Sequence, residues 1–174
     1  DTQQTLNRWV MRRNEAGENF QRKFSPLPSD LDFSSKNLNQ FDYVVIDSAG
    51  IDSKTGRKAL LNADFVISPL KPSQADLDTV LDLDDIMQEA KSINKKLKSF
   101  CVLNMCATHP KDKERAESLE LLQQAGLKST VIEEPIFDRK ILRTSFSEGG
   151  SCFEVKANKS ADEIAVVLQK ILGV

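Results

Sequence analysis

The chain has 174 residues, and its 24 Lys and Arg against 26 Asp and Glu give a formal net charge of −2. This length suits one domain with a sizeable core, and the balanced charge argues against a strongly basic nucleic-acid binder while leaving a local basic patch open. No apolar run is long enough to span a membrane, and the N-terminus lacks the pattern of a signal peptide. Cys101, Cys106 and Cys152 form no CxxC pair, which favours a reduced, cytoplasmic protein in which each is a small buried residue.

Helical and strand patterns alternate along the chain. Residues 3–15 predict a helix, and residues 15–40 are rich in loop-forming residues. A strand at 43–47, a helix at 54–63, a strand at 65–69 and a long helix from 72 to about 97 follow. A strand at 100–104, a helix at 111–125, a strand at 129–132 and helices at 138–147 and 160–172 complete the series. This alternation predicts an α/β fold, a mostly parallel twisted sheet with helices on both faces, in a single domain over residues 1–174.

The segment from Phe41 to Gly50 carries the main functional signal. Its apolar run, 43–46, does not alternate with polar residues and therefore predicts a strand buried on both faces, which ends at Asp47. An acid at the carboxyl end of such a strand faces the crevice where open α/β sheets bind ligands, and a magnesium–phosphate complex would need a carboxylate there. The alternative is a strand followed by a polar turn in which Asp47 caps the next helix.

Two further strand ends point to the same edge of the predicted sheet. Pro69-Leu70-Lys71-Pro72 follows one strand, and Asn104 ends another. Because the carboxyl ends of parallel strands share one edge, these residues could line one site with Asp47. The amide of Asn104 both donates and accepts, as recognition of a nucleotide base requires. The alternative is an asparagine that forms a turn at the strand end.

Taken in order, these segments resemble the ParA-type partition ATPases of the ParA/MinD branch of P-loop proteins, over nearly the whole chain. Residues 1–9 resemble the family's Asp-Pro-Gln segment and the helix with a Trp that follows it. Residues 41–47 resemble the Walker B strand, and 63–73 resemble the next strand with its Pro-x-x-Pro-Ser turn. Leu103-Asn104 resembles the strand end that contacts adenine, and 135–154 the C-terminal helix and turn.

The sequence departs from the family in two places. The glycine-rich Lys-Gly-Gly-x-x-Lys-Thr/Ser loop, whose amides and lysines cradle the phosphates, has no counterpart in these residues, and Thr2 stands where the family usually has Pro. We therefore expect an N-terminally truncated fragment, with the loop encoded upstream. Without that loop, this chain alone is expected to be inactive and to bind ATP weakly or not at all.

The resemblance implies an ATPase of plasmid or chromosome partition that hydrolyses ATP with Mg²⁺. Asp1 resembles the acid that positions or activates the attacking water, and Asp47 resembles the carboxylate that holds Mg²⁺ through water. The residues implied for adenine are Asn104 and the backbone of Pro135, Ile136, Phe137 and Asp138.

The resemblance also implies a nucleotide-dependent homodimer, non-specific DNA binding, a centromere-binding ParB-type partner and a nucleoid-associated location in the cytoplasm. The DNA-binding candidates are Arg139, Lys140 and Arg143 on one predicted helix, and the alternative is a solvated face with one Arg in a structural ion pair. In the MinD relatives a terminal helix anchors the protein in a membrane. Here the apolar stripe of the terminal helix is expected to pack on the sheet instead. Alternative functions are a MinD-like positioning ATPase or a related metabolic P-loop enzyme, and a non-catalytic ParA-like interaction module.

Overall fold

In a computed structural model, the described residues are 4–17, 24–27, 36–48, 50, 53–109 and 111–173. Their helices are α1 (Thr5–Glu15), α2 (Lys54–Leu60), α3 (Gln74–Asp78), α4 (Val80–Ile93), α5 (Glu114–Gln124), α6 (Lys140–Ser147) and α7 (Lys159–Leu172). The strands are β1 (Phe65–Leu70), β2 (Lys98–Leu103) and β3 (Thr130–Ile132), and short 3₁₀ turns cover Lys36–Gln40 and Cys152–Glu154.

The three strands form a parallel sheet in the order β1-β2-β3. In the register, Phe65 of β1 lies opposite Lys98 and Leu70 opposite Leu103, while Phe100 of β2 lies opposite Thr130. Each pair of strands is joined by a helical crossover, which is the connection that parallel neighbours need. The predicted α/β architecture with a parallel sheet is therefore confirmed.

Both faces of the sheet are covered by helices. Successive side chains of a strand point to opposite faces, so β2 contributes to two cores. On one face, Cys101 and Leu103 pack with Met87 of α4 and Leu122 of α5. On the other face, the second core joins the strands to α7 and consists of Phe100, Val102, Ile132, Val167 and Ile171. The expectation that the terminal helix packs on the sheet is confirmed.

The strand predicted at 43–47 is wrong for this structure. Residues 43–48 have no regular secondary structure, and the side chains of Tyr43 and Val45 are each 76% exposed. An apolar run becomes a buried strand only when its backbone N–H and C=O groups pair with a neighbouring strand. In the described sheet, no strand is hydrogen-bonded to this segment. The pattern of apolar residues cannot specify such a pairing partner.

The long helix predicted from 72 to 97 is divided into α3 and α4 at Thr79. The hydroxyl of Thr79 donates to the carbonyl of Asp76 at 2.9 Å, so the side chain takes a carbonyl group that an uninterrupted helix would use. Ser73 caps the N-terminus of α3, with its Oγ accepting from the backbone N–H of Asp76. The predicted N-terminal start of this helical region is thus confirmed to within a residue or two, and its continuity is not.

The N-terminal helix α1 is fixed to the turn that follows α6. The indole Nε1 of Trp9 donates to the carbonyl of Gly150 at 3.0 Å. Arg13, 3% exposed, donates to the carbonyl of Gly149 at 3.0 Å and to both carboxylate oxygens of Glu154. Gly149 has φ +77°, and a Cβ built there would lie 2.5 Å from the backbone nitrogen of Arg13. Only glycine permits this approach, because a side chain would clash with the α1 backbone.

Candidate functional site

The carboxyl edge of the sheet brings Asn104 next to residues 135–138. The backbone N–H of Asn104 donates to the carbonyl of Leu70 at 2.8 Å, which extends the β1–β2 ladder by one residue. Beyond β3, Ile136 N–H donates to Leu103 at 2.8 Å, and Cys106 N–H donates to Ile136 at 3.1 Å. Asp138 N–H then donates to Cys106 at 2.8 Å. The backbone around 135–138 therefore continues alongside the end of β2.

Asn104 makes a turn and also leaves a donor for a ligand. Its Oδ1 accepts from the backbone N–H of Met105 at 2.9 Å, which is the turn-forming role considered from the sequence. Asn104 is half-buried, and its side-chain nitrogen Nδ2 has no hydrogen-bond partner within the described part of the chain. The side-chain amide of Asn104 thus keeps a hydrogen-bond donor available at the carboxyl edge of the sheet.

Met105 adopts an unusual backbone conformation at this edge. Its φ is +57°, in the left-handed region that costs a non-glycine residue roughly 1–2 kcal/mol, and its side chain is 46% exposed. Strain of this kind persists where the surrounding structure imposes it, which occurs often at ligand sites. Here the hydrogen bonds of Asn104 and Cys106 to neighbouring segments hold both sides of the residue.

The loop after β1 reaches the same edge. The backbone N–H of Lys71 donates to Oδ2 of Asp76 at 2.7 Å, and Ser73 Oγ donates to the other carboxylate oxygen at 3.2 Å. Asp76 thus holds the turn between β1 and α3 in one conformation. The side chain of Lys71 is exposed, so a cation stands at this end of the sheet together with Asn104.

The structure places the predicted metal ligand Asp47 in the exposed, irregular segment 43–48. The predicted water-activating residue, Asp1, lies outside the described residues. Among the residues that are described, no three His, Cys, Asp or Glu side chains converge to hold a metal ion. Mg²⁺ in nucleotide sites commonly uses one or two carboxylates together with waters and substrate phosphates. Asp47 as the Mg²⁺ ligand stays a prediction, because its segment is not part of the described three-stranded sheet.

The predicted DNA-binding residues differ in their surroundings. Arg139 precedes α6 and pairs with Glu163 of α7, with Nη2 2.5 Å from Oε1, and its hydrogen bond to Glu163 raises its pKa. Arg143 pairs with Asp138 yet keeps 61% of its side chain exposed, and Lys140 is exposed. Arg139 is thus the arginine that forms a structural ion pair, the alternative considered from the sequence. Lys140 and Arg143 lie on the surface.

Cysteine and histidine chemistry is not supported at this site. All three cysteines are free and buried, and burial raises the pKa of Cys101 and Cys106 to about 11. Both are therefore protonated thiols at neutral pH and poor nucleophiles. His109 is exposed in a loop, where its Nδ1 accepts from the backbone N–H of Lys111 at 3.2 Å.

Sequence reasoning missed two buried groups that position these elements. Arg13 joins α1 to Glu154, and Asp84 of α4, 4% exposed, accepts from the backbone N–H groups of Lys128 and Ser129 at 2.8 and 3.0 Å. The Ser129 hydroxyl donates to Asp84 and can accept from the hydroxyl of Ser99, whose Oγ lies 2.7 Å from its own. In the sequence each was one charge among several on an amphipathic helix, and no local pattern marked it as buried.

No helix in the described part of the chain combines the length and apolar character needed to cross a membrane.

Comparison with known proteins identifies the family of this chain. The family model described as ATPase MipZ matches residues 3–118. The chain is 26% identical over 179 residues to the maintenance of carboxysome distribution protein A of Halothiobacillus neapolitanus, covering 99% of this chain and 80% of that protein. It is 26% identical over 138 residues to protein ParA of Rhizobium radiobacter, covering 75% of this chain and 61% of that protein. The chain therefore belongs to the MipZ family of ATPases, within the ParA-type partition ATPases.

Proposed function

We propose that this chain forms the nucleotide-binding part of an ATPase that uses the binding and hydrolysis of ATP–Mg²⁺ to position or segregate a cellular cargo. The observation that carries this proposal is the adjacency of Asn104 and residues 135–138 at the carboxyl edge of a parallel sheet, in a chain that matches a family of ATPases. Ligands of open α/β sheets bind at this edge.

In this proposal, the Nδ2 group of Asn104 donates to the adenine ring, and the backbone of residues 135–138 lines the base. Asp47 holds Mg²⁺ through water, and Asp1 positions the attacking water. When bound, Mg²⁺ would neutralise charge that develops on the phosphates. The residues of this chain would otherwise act by orientation, since phosphoryl transfer requires positioning more than covalent chemistry.

The test is nucleotide binding by the protein as its gene encodes it, measured by calorimetry with Mg²⁺. Asn104→Ala should weaken ATP binding about tenfold, because a hydrogen bond to the base is lost and its acceptor is left unpaired. The same change should also reduce the ratio of the affinity for ATP to the affinity for GTP. Asn62→Ala is the matched control, since Asn62 is exposed and precedes β1 at the opposite edge of the sheet. Equal ATP affinity for the wild type and Asn104→Ala would contradict the assignment of the base site.

A second test concerns Asp47. Asp47→Asn in the same protein should abolish most Mg²⁺-dependent ATP hydrolysis while leaving binding of ATP without Mg²⁺ nearly unchanged. Asp42→Asn, in the same segment and also exposed, is the matched control. Unchanged hydrolysis by Asp47→Asn would show that the carboxylate has no role with the metal.

We propose DNA as one cargo or track. The protein would contact DNA without sequence preference through a surface that includes Lys140 and Arg143, and a nucleotide-dependent homodimer would double this surface. The stimulating partner would be a ParB-type centromere-binding protein. Lys140→Ala with Arg143→Ala should reduce the slope of log affinity against log salt by about two per protomer, and so by about four for the homodimer, because each side chain would otherwise neutralise about one phosphate. Lys156→Ala with Lys159→Ala, two exposed lysines outside α6, is the matched control. An unchanged slope would place the DNA-binding surface elsewhere. Arg139 is expected to act mainly through its ion pair with Glu163.

A protein-based compartment is a second candidate cargo. The observation that favours it is the relative named for maintenance of carboxysome distribution, which this chain matches over 80% of that protein's length. A positioning ATPase of this kind would use the same nucleotide site with a different adaptor protein. Deleting the gene and imaging both nucleoids and intracellular compartments distinguishes the two, because only the true cargo should lose its regular spacing.

A further inference from the structure

The segment that follows β3 is attached to α7 at both of its ends. At the far end, Arg139 pairs with Glu163 of α7, with Nη2 2.5 Å from Oε1 and Nε 3.2 Å from both carboxylate oxygens. At the near end, Glu134 accepts from Nζ of Lys170 at 2.5 Å. Glu163 and Lys170 lie nearly two turns apart and therefore share one face of α7. Residues 134–139 are thus fastened to that face by two ion pairs.

The Arg139 guanidinium connects α7 to the side chain of Phe137. Its Cζ lies 5.3 Å from the centroid of the Phe137 ring, which is within the range of a cation–π contact. The side chains of Arg139 and Glu163 are 26% and 19% exposed, whereas those of Lys170 and Glu134 are 46% and 34% exposed. A guanidinium that binds both oxygens of a carboxylate also fixes geometry better than a lysine does. The first pair should therefore limit the movement of Phe137 more than the second.

The end of β2 holds the other side of this segment. Phe137 forms an isolated parallel bridge with Cys106, in which Asp138 N–H donates to the carbonyl of Cys106 and the carbonyl of Ile136 accepts from the N–H of Cys106. The hydrogen bonds of such a bridge belong to the neighbours of the bridged residue, so the N–H and C=O of Phe137 itself point away from β2. The direction of these two groups is therefore set jointly by β2 and by the contact of Phe137 with Arg139.

We infer that Glu163 and Arg139 are positioning residues for the base site, which hold the backbone of residues 135–138 from α7 and affect nucleotide binding through that backbone. This inference rests on the proposed function, in which residues 135–138 line the base. Neither side chain has to touch the nucleotide, because the guanidinium is already shared by the Glu163 carboxylate and the Phe137 ring. Loss of the pair should therefore weaken the binding of ligands that carry a base and spare those that do not.

Calorimetry with two ligands and Mg²⁺ tests the inference on the protein as its gene encodes it. ATP carries the base, whereas inorganic tripolyphosphate carries the phosphates alone. Glu163→Gln should weaken ATP binding about fivefold, because a neutral amide holds Arg139 less firmly, and should leave tripolyphosphate binding unchanged. A purely structural loss would weaken both ligands alike, since it lowers the fraction of folded protein. Asp162→Asn, at an exposed position in the same turn of α7, is the matched control and should change neither affinity.

The two charges should act as one unit. Arg139→Gln alone, and Arg139→Gln with Glu163→Gln, should each weaken ATP binding by the same factor of about five, because every one of these changes removes the same ion pair. Lys170→Met breaks the more exposed pair at the other end of the segment and should weaken ATP binding by about twofold or less.

Three results would overturn the inference while leaving the proposed function in place. The first is an ATP affinity of Glu163→Gln equal to that of the wild type, and the second is a tripolyphosphate affinity that falls in step with it. The third is a double variant in which the two losses multiply, because Arg139 would then act on the nucleotide directly. Absence of ATP binding by the wild type would instead contradict the proposed function, and this inference with it.

Discussion

The ion pair between Arg13 and Glu154 should control the attachment of α1 to the rest of the fold. Arg13 has a side chain only 3% exposed, and Glu154 is 29% exposed. The guanidinium lies over two rings, with Cζ 5.3 Å from the centroid of Trp9 and 5.1 Å from that of Phe24. Glu154 also accepts from the backbone N–H of Ser151 at 2.9 Å. Replacing Glu154 with Gln keeps the shape but removes the carboxylate charge that pairs with the buried Arg13.

The expected cost of Glu154→Gln follows from this geometry. Removing one partner of a buried ion pair costs about 3–5 kcal/mol, and the Gln carbonyl can still accept one of the guanidinium hydrogen bonds. We therefore expect the free energy of unfolding at pH 7 to fall by about 2–3 kcal/mol. Glu89→Gln is the matched control, because its partner Arg57 and Glu89 itself are 51% and 69% exposed. Breaking such a surface pair should cost below about 0.5 kcal/mol.

The assay uses the single tryptophan of the chain. Trp9 donates to Gly150 and stacks on Phe146 with ring centroids 6.4 Å apart, so its emission reports whether α1 is docked. In urea titrations, Glu154→Gln should lower the midpoint and shift the emission of the native state to longer wavelength. An unfolding free energy within about 0.5 kcal/mol of wild type, with unchanged emission, would refute the argument that this pair holds α1.

The dependence on pH gives an independent check. The hydrogen bond from Arg13 lowers the pKa of Glu154 below its ordinary value of 4.5. The stabilisation from this carboxylate is therefore fully present above that ordinary value and is lost as the pH falls through the lower pKa of the folded state. The difference in stability between wild type and Glu154→Gln should be constant from pH 7 to about pH 5 and should shrink in more acidic solution. A difference that instead grows below pH 5 would contradict this sign.

Two further predictions concern the packing of the fold. Gly149→Ala should destabilise the protein by more than about 3 kcal/mol, because the new Cβ would lie 2.5 Å from the α1 backbone. Gly126 is the matched control, since it has φ +69° and a Cβ there would meet no atom within 4 Å. Gly126→Ala should cost only about 1–2 kcal/mol of backbone strain. Similar unfolding free energies for the two variants would refute the clash. Burial raises the pKa of Asp84, but the hydrogen bonds from Ser129 and Lys128 outweigh burial and lower the pKa overall. Asp84→Asn should therefore lower the free energy of unfolding by about 2–3 kcal/mol, measured by urea titration at pH 7. This loss should disappear in strong acid as the wild-type carboxyl is protonated, and a loss that persists there would contradict the assignment.

Local patterns determined most of the secondary structure and part of the site. The alternation of apolar runs with amphipathic stretches predicted β1, β2, α5 and α7 close to their observed bounds, because side-chain periodicity reflects which face is buried. The parallel order of strands also predicted that residues 69–72 and Asn104 would lie at one edge of the sheet, since the carboxyl ends of parallel strands share an edge, and the backbone N–H of Asn104 donates to Leu70 there. The place of residues 135–138 beside Asn104 was implied only by the resemblance. The resemblance to ParA-type ATPases rested on the same segments, and the match to the MipZ family confirmed it.

Tertiary structure alone decided the contacts between distant segments. The apolar run at 43–46 predicted a buried strand, yet it is exposed and irregular, because pairing depends on a neighbouring backbone that no local pattern identifies. Arg13 meets Glu154 across 141 positions, and Asp84 meets Ser129 across 45 positions. In the sequence these were ordinary charges on amphipathic helices. Burial and partners are properties of the packed chain, because a charge becomes costly or stabilising only when the fold removes it from water.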